Sequence, residues 1–410
     1  MPIPTLRRLS RYDALALTAA IWFLAKFLRY AFPPLFGPFQ ATYGVSNAEL
    51  GAAFTGFMLV YAATQFPSGV LADRLGSVTV IVAGAVVAAA AALSLTVDSP
   101  FPVLVGAMLV MGAGTGAHKT VAVRLLSRAY PARTGRALGI LDTFGTFGGV
   151  AAPAAVVVAS GVPFALGAGW RAVFLAAGVA GLALTAAFAL RVPERLPNSS
   201  GAATSADGLG DVGVRQYAGL FLDVRFSTFV AVTVLFSFTY NGLVAFAPLY
   251  LTDEAGLAPA TASLLYSALF AVSLVQLATG EVSDRVGTLP VIVCALGVAA
   301  AAMVALVALT GTGSAVVLGA ALVAVGVGSH GFRPVRGAYL MAAVPDDIAG
   351  GSLGIVRTLL MGAGAVAPAV VGALSETVGF RPAFWLLAAS VAAATVLSAA
   401  LLVVGPAEST

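Results

Sequence analysis

Long apolar stretches separated by short polar breaks run the length of this chain. About twelve of them fall near residues 14–36, 48–71, 78–97, 102–126, 134–160, 171–191, 226–251, 259–281, 288–309, 313–341, 349–373 and 382–404. Crossing the hydrocarbon of a bilayer takes about 20 apolar residues of helix, and each stretch has that order of length. The stretches are rich in Ala, Leu and Val and do not alternate with period two, which argues for helices rather than barrel strands. The first stretch is longer than the core of a cleaved leader and continues through Pro33 and Pro34, so a signal peptide is not expected there. The pattern predicts an all-α membrane protein. Composition removes the soluble alternative: 60% of the 410 residues are hydrophobic and only 9% are charged, against roughly 25% charged in a soluble domain.

The basic residues are not spread evenly over the breaks. Arg7, Arg8 and Arg11 precede the first span, Arg74 follows the second, and Arg128, Arg133 and Arg136 surround the break between the fourth and fifth. Arg191, Arg195 and Arg215 lie in the central break, and Arg285 follows the eighth span. The alternate breaks, residues 37–47, 98–101, 252–258 and 310–314, hold no Lys or Arg. An excess of Lys and Arg marks the cytoplasmic side, so both termini and the central loop are expected there, in a multi-pass protein of the cell membrane. Arg171 and Arg381, each at the outer start of a span, depart from the rule. Pro193, Pro197, Asn198, Ser199, Ser200 and Gly201 break any helix in the central loop. That divides the chain into an N-terminal six-helix half (1–191), a linker (192–225) and a C-terminal six-helix half (226–410). The end of the linker, Arg215 to Arg225, mixes charges with Tyr217, Leu220 and Phe221, as a short helix on the membrane surface would.

The halves repeat. Gly69-Val-Leu-Ala-Asp73-Arg74-Leu-Gly76 follows the second span, and Gly280-Glu-Val-Ser-Asp284-Arg285-Val-Gly287 follows the eighth, at an offset of 211. Gly139, Asp142-Thr143 and Pro153 in the fifth span align with Gly354, Arg357-Thr358 and Pro368 in the eleventh, at an offset of 215. Gly112, Gly114 and Lys119 in the fourth span align with Gly326, Gly328 and Arg333 in the tenth, at 214. Trp170-Arg171 and Phe174 are echoed by Phe380-Arg381 and Phe384. Two parallel repeats of six spans place a substrate site near the midplane between them.

With its twice-used G-x-x-x-D-R-x-G loop, twelve spans and two halves, the chain resembles the major facilitator superfamily of secondary transporters over nearly its whole length. The resemblance implies that fold, with the first, fourth, seventh and tenth spans lining the cavity. It also implies that Asp73, Arg74, Asp284 and Arg285 latch the cytoplasmic ends of the helices and control the conformational change. The chain departs from the family pattern in two places. Ser77-Val78 and Thr288-Leu289 stand where further basic residues usually end the loop, which implies a weaker latch. Met108 stands where proton-driven drug exporters frequently keep an arginine, although Gly145, Gly148, Gly149 and Pro153 loosely resemble the exporters' glycine-proline motif.

Charges at membrane depth cost roughly 2.5–3.5 kcal/mol each and need a reason. The chain has two lysines, Lys26 and Lys119, and both fall inside spans, with Arg29 one turn beyond Lys26. Arg333, Arg336 and Arg357 lie inside the second half, and Asp142 is the one acid well inside a span. Six bases against one acid suit a small anion, and a guanidinium holds a carboxylate or phosphate through two bonds. Lys26, Arg29, Lys119 and Arg333 are the candidate binders, with Tyr240 and Asn241 (and, less directly, Gln65 and Gln276) as neutral hydrogen-bonding groups that could equally serve a neighbouring helix. Arg336 could instead snorkel to the interface.

Asp142 and Arg357 occupy equivalent positions and are candidate gate partners. The local alternative is an Asp142–Lys119 pair within one half. His118 has the chemistry for proton exchange, and with Asp142 it is the candidate proton site; a structural, hydrogen-bonded histidine is the alternative. Gly326-Val-Gly328-Ser-His330-Gly331 fits a dinucleotide fingerprint by letter only, because no strand precedes it and it sits in an apolar helix.

One cysteine, Cys294, and two histidines leave little for a metal site, and the net charge of +4 does not suggest nucleic acid. Without a P-loop or catalytic triad, neither an enzyme nor a bound cofactor is expected, and gradients would drive transport. The reading is a monomeric secondary transporter that moves a small organic anion, a carboxylate, by alternating access, with the proton as candidate coupling ion. The alternatives are a proton-driven multidrug exporter and a non-transporting membrane sensor.

Overall fold

The computed structural model describes residues 12–161, 167–195, 219–344 and 349–404. Each expected stretch is helical. The spans are Asp13–Tyr43 (first), Asn47–Leu75 (second), Ser77–Ser94 (third), Phe101–Ala129 (fourth), Thr134–Ser160 (fifth), Arg171–Arg191 (sixth), Val224–Asp253 (seventh), Pro259–Val286 (eighth), Thr288–Ala308 (ninth), Ala315–Ala342 (tenth), Ala349–Thr377 (eleventh) and Phe380–Val403 (twelfth). Among the described residues, eleven helices are long and apolar enough to cross a membrane. The second span, 29 residues long, falls outside that set because Thr64, Gln65, Pro67 and Ser68 dilute its apolar run. The first span turns through a short 3-10 segment at Pro33–Leu35, where two prolines supply no backbone donor. Arg7, Arg8, Arg11 and most of the linker, including the expected surface helix around Arg215 and Tyr217, lie outside the described residues.

Helix boundaries follow local chemistry. Ser46 opens the second span with a capping box: Glu49 N–H donates to Ser46 Oγ (3.2 Å), and Ser46 N–H donates to Glu49 Oε2 (2.8 Å). The last glycine of each repeated loop motif is the whole connection to the next span. Gly76 has φ +85° and Gly287 has φ +89°, a left-handed backbone that only glycine adopts cheaply.

The chain divides into two compact units, Met1–Ser199 and Ser200–Thr410. In the first, the second span packs on the fourth, the first on the fifth and sixth, and the third on the fourth and sixth. In the second, the eighth packs on the tenth, the seventh on the eleventh and twelfth, and the ninth on the tenth and twelfth. Every pairing is repeated six spans later, so the sequence repeat is also a repeat of packing.

Glycines explain how the fourth and tenth spans hold two neighbours each. A Cβ on Gly112 would sit 2.6 Å from the carbonyl oxygen of Phe57 in the second span, and one on Gly114 would sit 2.7 Å from the nitrogen of Ala88 in the third. Gly326 and Gly328 repeat this against Leu269 O (2.7 Å) and Ala299 N (2.6 Å). Residues two apart on a helix point about 200° apart, so Gly-x-Gly bares opposite faces to two backbones. The nucleotide-like spelling in the tenth span is thus a packing device.

Arg171, one of the two departures from the charge rule, is buried at 2% exposure. It donates to the carbonyls of Leu95 (3.3 Å) and Val97 (2.5 Å) and to Asp98 (2.6 Å), with its guanidinium 4.6 Å from the Trp170 ring centroid. It satisfies the carbonyl end of the third span, and its charge is met by Asp98.

Candidate functional site

In the first unit, Trp22, Lys26, Arg29 and Tyr30 follow one another at near-helical spacing on the first span. Lys26 Nζ lies 4.9 Å from the Trp22 ring centroid and 5.6 Å from that of Tyr30. Lys119 Nζ, from the fourth span, lies 5.3 Å from the same indole. Both lysines of the chain therefore converge on one aromatic ring. Arg29 extends the cluster, its Cζ 5.5 Å from Tyr30 and 5.8 Å from Tyr61 on the second span. Lys119 forms an ion pair with Asp142 of the fifth span. Its side chain is 18% exposed and that of Asp142 58%, so the pair is open at its acid end. This is the local arrangement of Asp142. His118 stacks on Trp22, with centroids 5.9 Å apart.

The fifth span's glycines set this platform. A Cβ on Gly145 would press on the Trp22 indole, and one on Gly148 would lie 2.9 Å from Phe27 N and 3.1 Å from Lys26 Cβ. The glycine stripe read as a loose exporter likeness thus lets the first and fifth spans touch.

The second unit carries a related cluster. The Arg333 guanidinium lies 4.3 Å from the Tyr240 ring centroid, Phe236 packs on Phe332 (4.5 Å), and His330 meets Tyr240 edge-on (6.1 Å). At an offset of 214, Trp22 corresponds to Phe236, Lys26 to Tyr240, His118 to Phe332 and Lys119 to Arg333. Each half presents a cation from its fourth helix over an aromatic residue of its first. A sequence signal for this exists in the repeated Phe32-x-Pro34-Leu35 and Phe246-x-Pro248-Leu249. The Asn241 amide donates to the Ser237 carbonyl (2.8 Å), and the side chain packs against the bare backbone of Gly364 in the eleventh span. Arg336 lies with its guanidinium 5.8 Å from the Phe332 ring centroid, and Arg357 is exposed on the eleventh span.

The two repeated loops differ. Asp73 forms an ion pair with Arg124 on the fourth span. Ala338 stands at the position equivalent to Arg124 in the tenth span, and Arg285 bonds instead to Glu281 on its own helix (2.5 Å). Arg74 and Asp284 are exposed. Arg124 is the partner that sequence reasoning missed, because 51 residues separate it from Asp73 and no local pattern links them.

A family model described as Major Facilitator Superfamily matches residues 18–332 and, in a second match, 229–410. Among curated proteins, the chain is 28% identical over 174 residues to the probable sulfoacetate transporter SauU of Cupriavidus necator, covering 42% of this chain and 39% of that protein. Among solved structures, it is similar to a bacterial homologue of the human lysosomal transporter Spinster in an inward-facing, unoccupied conformation. That match has a TM-score of 0.80 and 17% identity and covers 97% of this chain and 99% of the other. A D-xylose-proton symporter matches with a TM-score of 0.77 and 14% identity over 94% of this chain and 97% of that one. Likeness at these identities establishes the fold.

Proposed function

The chain belongs to the Major Facilitator Superfamily, and from that premise we propose that it moves a small organic anion, a carboxylate, by alternating access. It is a multi-pass membrane transporter and not an enzyme. The observation that carries the substrate class is the convergence of Lys26 and Lys119 on Trp22, with Arg29 alongside and Asp142 as the one acid among them. Three bases and one acid leave the cluster net positive. Placed in a low-dielectric wall, that excess attracts an anion and repels a lipophilic cation. Within the second half, Arg333 lies over Tyr240, and its planar guanidinium is of the kind that holds a carboxylate through two bonds.

The partial likeness to a sulfoacetate transporter supports the same class, sulfoacetate being a small anion with a carboxylate and a sulfonate. On this reading the carrier acts as a monomer in the cell membrane with both termini in the cytoplasm. Protons drive it, His118 and Asp142 are the candidate proton sites, and the Asp73 and Asp284 loops work as latches. Asp142, paired with Lys119 in the first half, and Arg357 in the second act as gating residues of the cycle. The test is uptake by purified protein in proteoliposomes of labelled sulfoacetate and simple carboxylates, against efflux of a hydrophobic cationic dye. Saturable uptake of an acid, competed by other acids, is expected. Dye efflux without uptake of any acid would replace this reading with that of an exporter.

A further inference from the structure

Thr18, Trp22, Lys26 and Tyr30 stand at four-residue steps along the first span, near one face of the helix. Trp22 is 3% exposed, and two other spans fix its indole. From the fourth, the His118 imidazole lies nearly parallel to it, with centroids 5.9 Å and planes 15° apart, an offset stack. His118 is itself tied to the first span, its Nε2 lying 3.1 Å from the Thr18 carbonyl oxygen. From the fifth, Gly145 comes so close that a Cβ there would overlap Nε1 and Cδ1 of the indole. Any larger residue at 145 displaces the ring.

That enclosed ring carries two cations. Lys26 Nζ is 4.9 Å and Lys119 Nζ 5.3 Å from its centroid, so the two nitrogens are at most the sum of these, 10.2 Å, apart. The negative face of an indole attracts an ammonium, more strongly where water is excluded. Two like charges held this near each other repel, and an anion that meets both relieves the repulsion. Asp142 already does so in part, through Lys119. Both side chains keep accessible surface, Lys119 at 18% and Lys26 half-buried, while the ring between them is closed off.

We propose that Trp22 is the positioning residue of the anion site: its indole holds the ammoniums of Lys26 and Lys119 together, so that one substrate anion engages both. The proposal deepens the anion reading above and rests on it. Trp22 is too enclosed to touch substrate and acts through the two lysines, while His118 and Gly145 set the plane and place of the ring. The indole is not a demand of the fold. In the second half Phe236 fills the equivalent position, Tyr240 stands in place of Lys26, and Arg333, in place of Lys119, lies 4.3 Å from the Tyr240 centroid instead. A phenyl ring meets the same packing there, and the indole occurs where two lysines share a ring.

Sulfoacetate uptake by the full chain in proteoliposomes tests the role through three variants, with thermal unfolding measured on the same preparations. Trp22→Phe keeps an aromatic face and should stay within about 3-fold of the wild-type KM. Trp22→Leu keeps apolar bulk without the face, and the loss of two cation–π contacts should raise KM about 10-fold. Its maximal rate should not change, because the contacts serve binding. Gly145→Ala keeps the indole but displaces it, and should raise KM in the same way. A tryptophan that only packs gives a different result: Trp22→Leu lowers the melting temperature and has the KM of Trp22→Phe. That result overturns the proposal.

Fluorine NMR of fluorotryptophan-labelled protein in lipid vesicles is the second measurement, and it decides the matter even where Trp22→Leu does not fold. The chain has three tryptophans, and Trp22→Phe assigns the Trp22 signal. That signal should move in Lys26→Met, in Lys119→Met, and on adding sulfoacetate to the wild type. A response to one lysine alone, or to neither, overturns the shared platform. A response to both lysines but not to sulfoacetate, in protein that takes sulfoacetate up, puts the anion elsewhere; it overturns the positioning role and leaves anion transport standing. If the wild type moves neither sulfoacetate nor a simple carboxylate, the anion reading itself fails and takes this role with it.

Discussion

Replacing Lys26 by Met separates charge from shape at the centre of the proposed anion site. Methionine keeps a flexible stem of similar length against Trp22 and Tyr30 but removes the ammonium that now lies 4.9 Å from the indole centroid. Two unit charges about 4 Å apart interact by about 4 kcal/mol at an effective dielectric constant of 20. Desolvation of both partners offsets part of this, and Arg29 and Lys119 remain to hold the anion. A net loss of about 2 kcal/mol is therefore expected, roughly a 30-fold rise in KM for an organic anion. Lys26→Arg preserves the charge and should stay within about 3-fold of the wild type. The loss of a cation–π contact, roughly 0.5–1 kcal/mol, should lower the melting temperature only slightly, so a folding defect is distinguishable. The assay is the initial rate of sulfoacetate uptake against concentration in proteoliposomes, with thermal unfolding measured on the same preparations. An unchanged KM in Lys26→Met would refute the electrostatic reasoning. A gain in transport of a lipophilic cation would point to the exporter instead.

The pairing of Asp73 with Arg124 predicts that Asp73→Asn and Arg124→Ala slow the transport cycle to a similar extent, with little change in substrate affinity. The double variant should be no slower than either single one, and additive losses in stopped-flow rates would show that the two residues act separately. Packing supplies another prediction: Gly328→Val should abolish folded protein, because even a Cβ there would lie 2.6 Å from Ala299 N, whereas Gly139→Ala, which meets nothing within 4 Å, should unfold within a degree or two of the wild type on a thermal ramp.

The residues that marked out a candidate site were those the membrane penalises. Lys26, Arg29, Lys119, Asp142 and Arg333 stood out in sequence because a charge at membrane depth has a cost that needs a return. Their partners were not legible. Nothing in the order of residues says that both lysines meet over Trp22, or that Asp73 answers Arg124. Nor does the sequence say that the Asn241 amide donates to the Ser237 carbonyl or lies against Gly364. Arg171 broke the charge rule in sequence and is explained only once its carbonyl partners at the end of the third span are seen.

By itself the sequence determined what depends on neighbours along the chain. It set the length and apolar character of each span, the capping box at Ser46, the single-glycine turns at Gly76 and Gly287, and the repetition of six spans. These are local or periodic properties, and a helix in hydrocarbon satisfies its backbone within its own segment. The tertiary structure alone decided which faces meet. The two glycines of each Gly-x-Gly serve different neighbours, and the Lys119–Asp142 pair closes within one half. Contacts between helices depend on rotation about each helix axis and on side-chain volume across tens to hundreds of residues, and no local pattern encodes those.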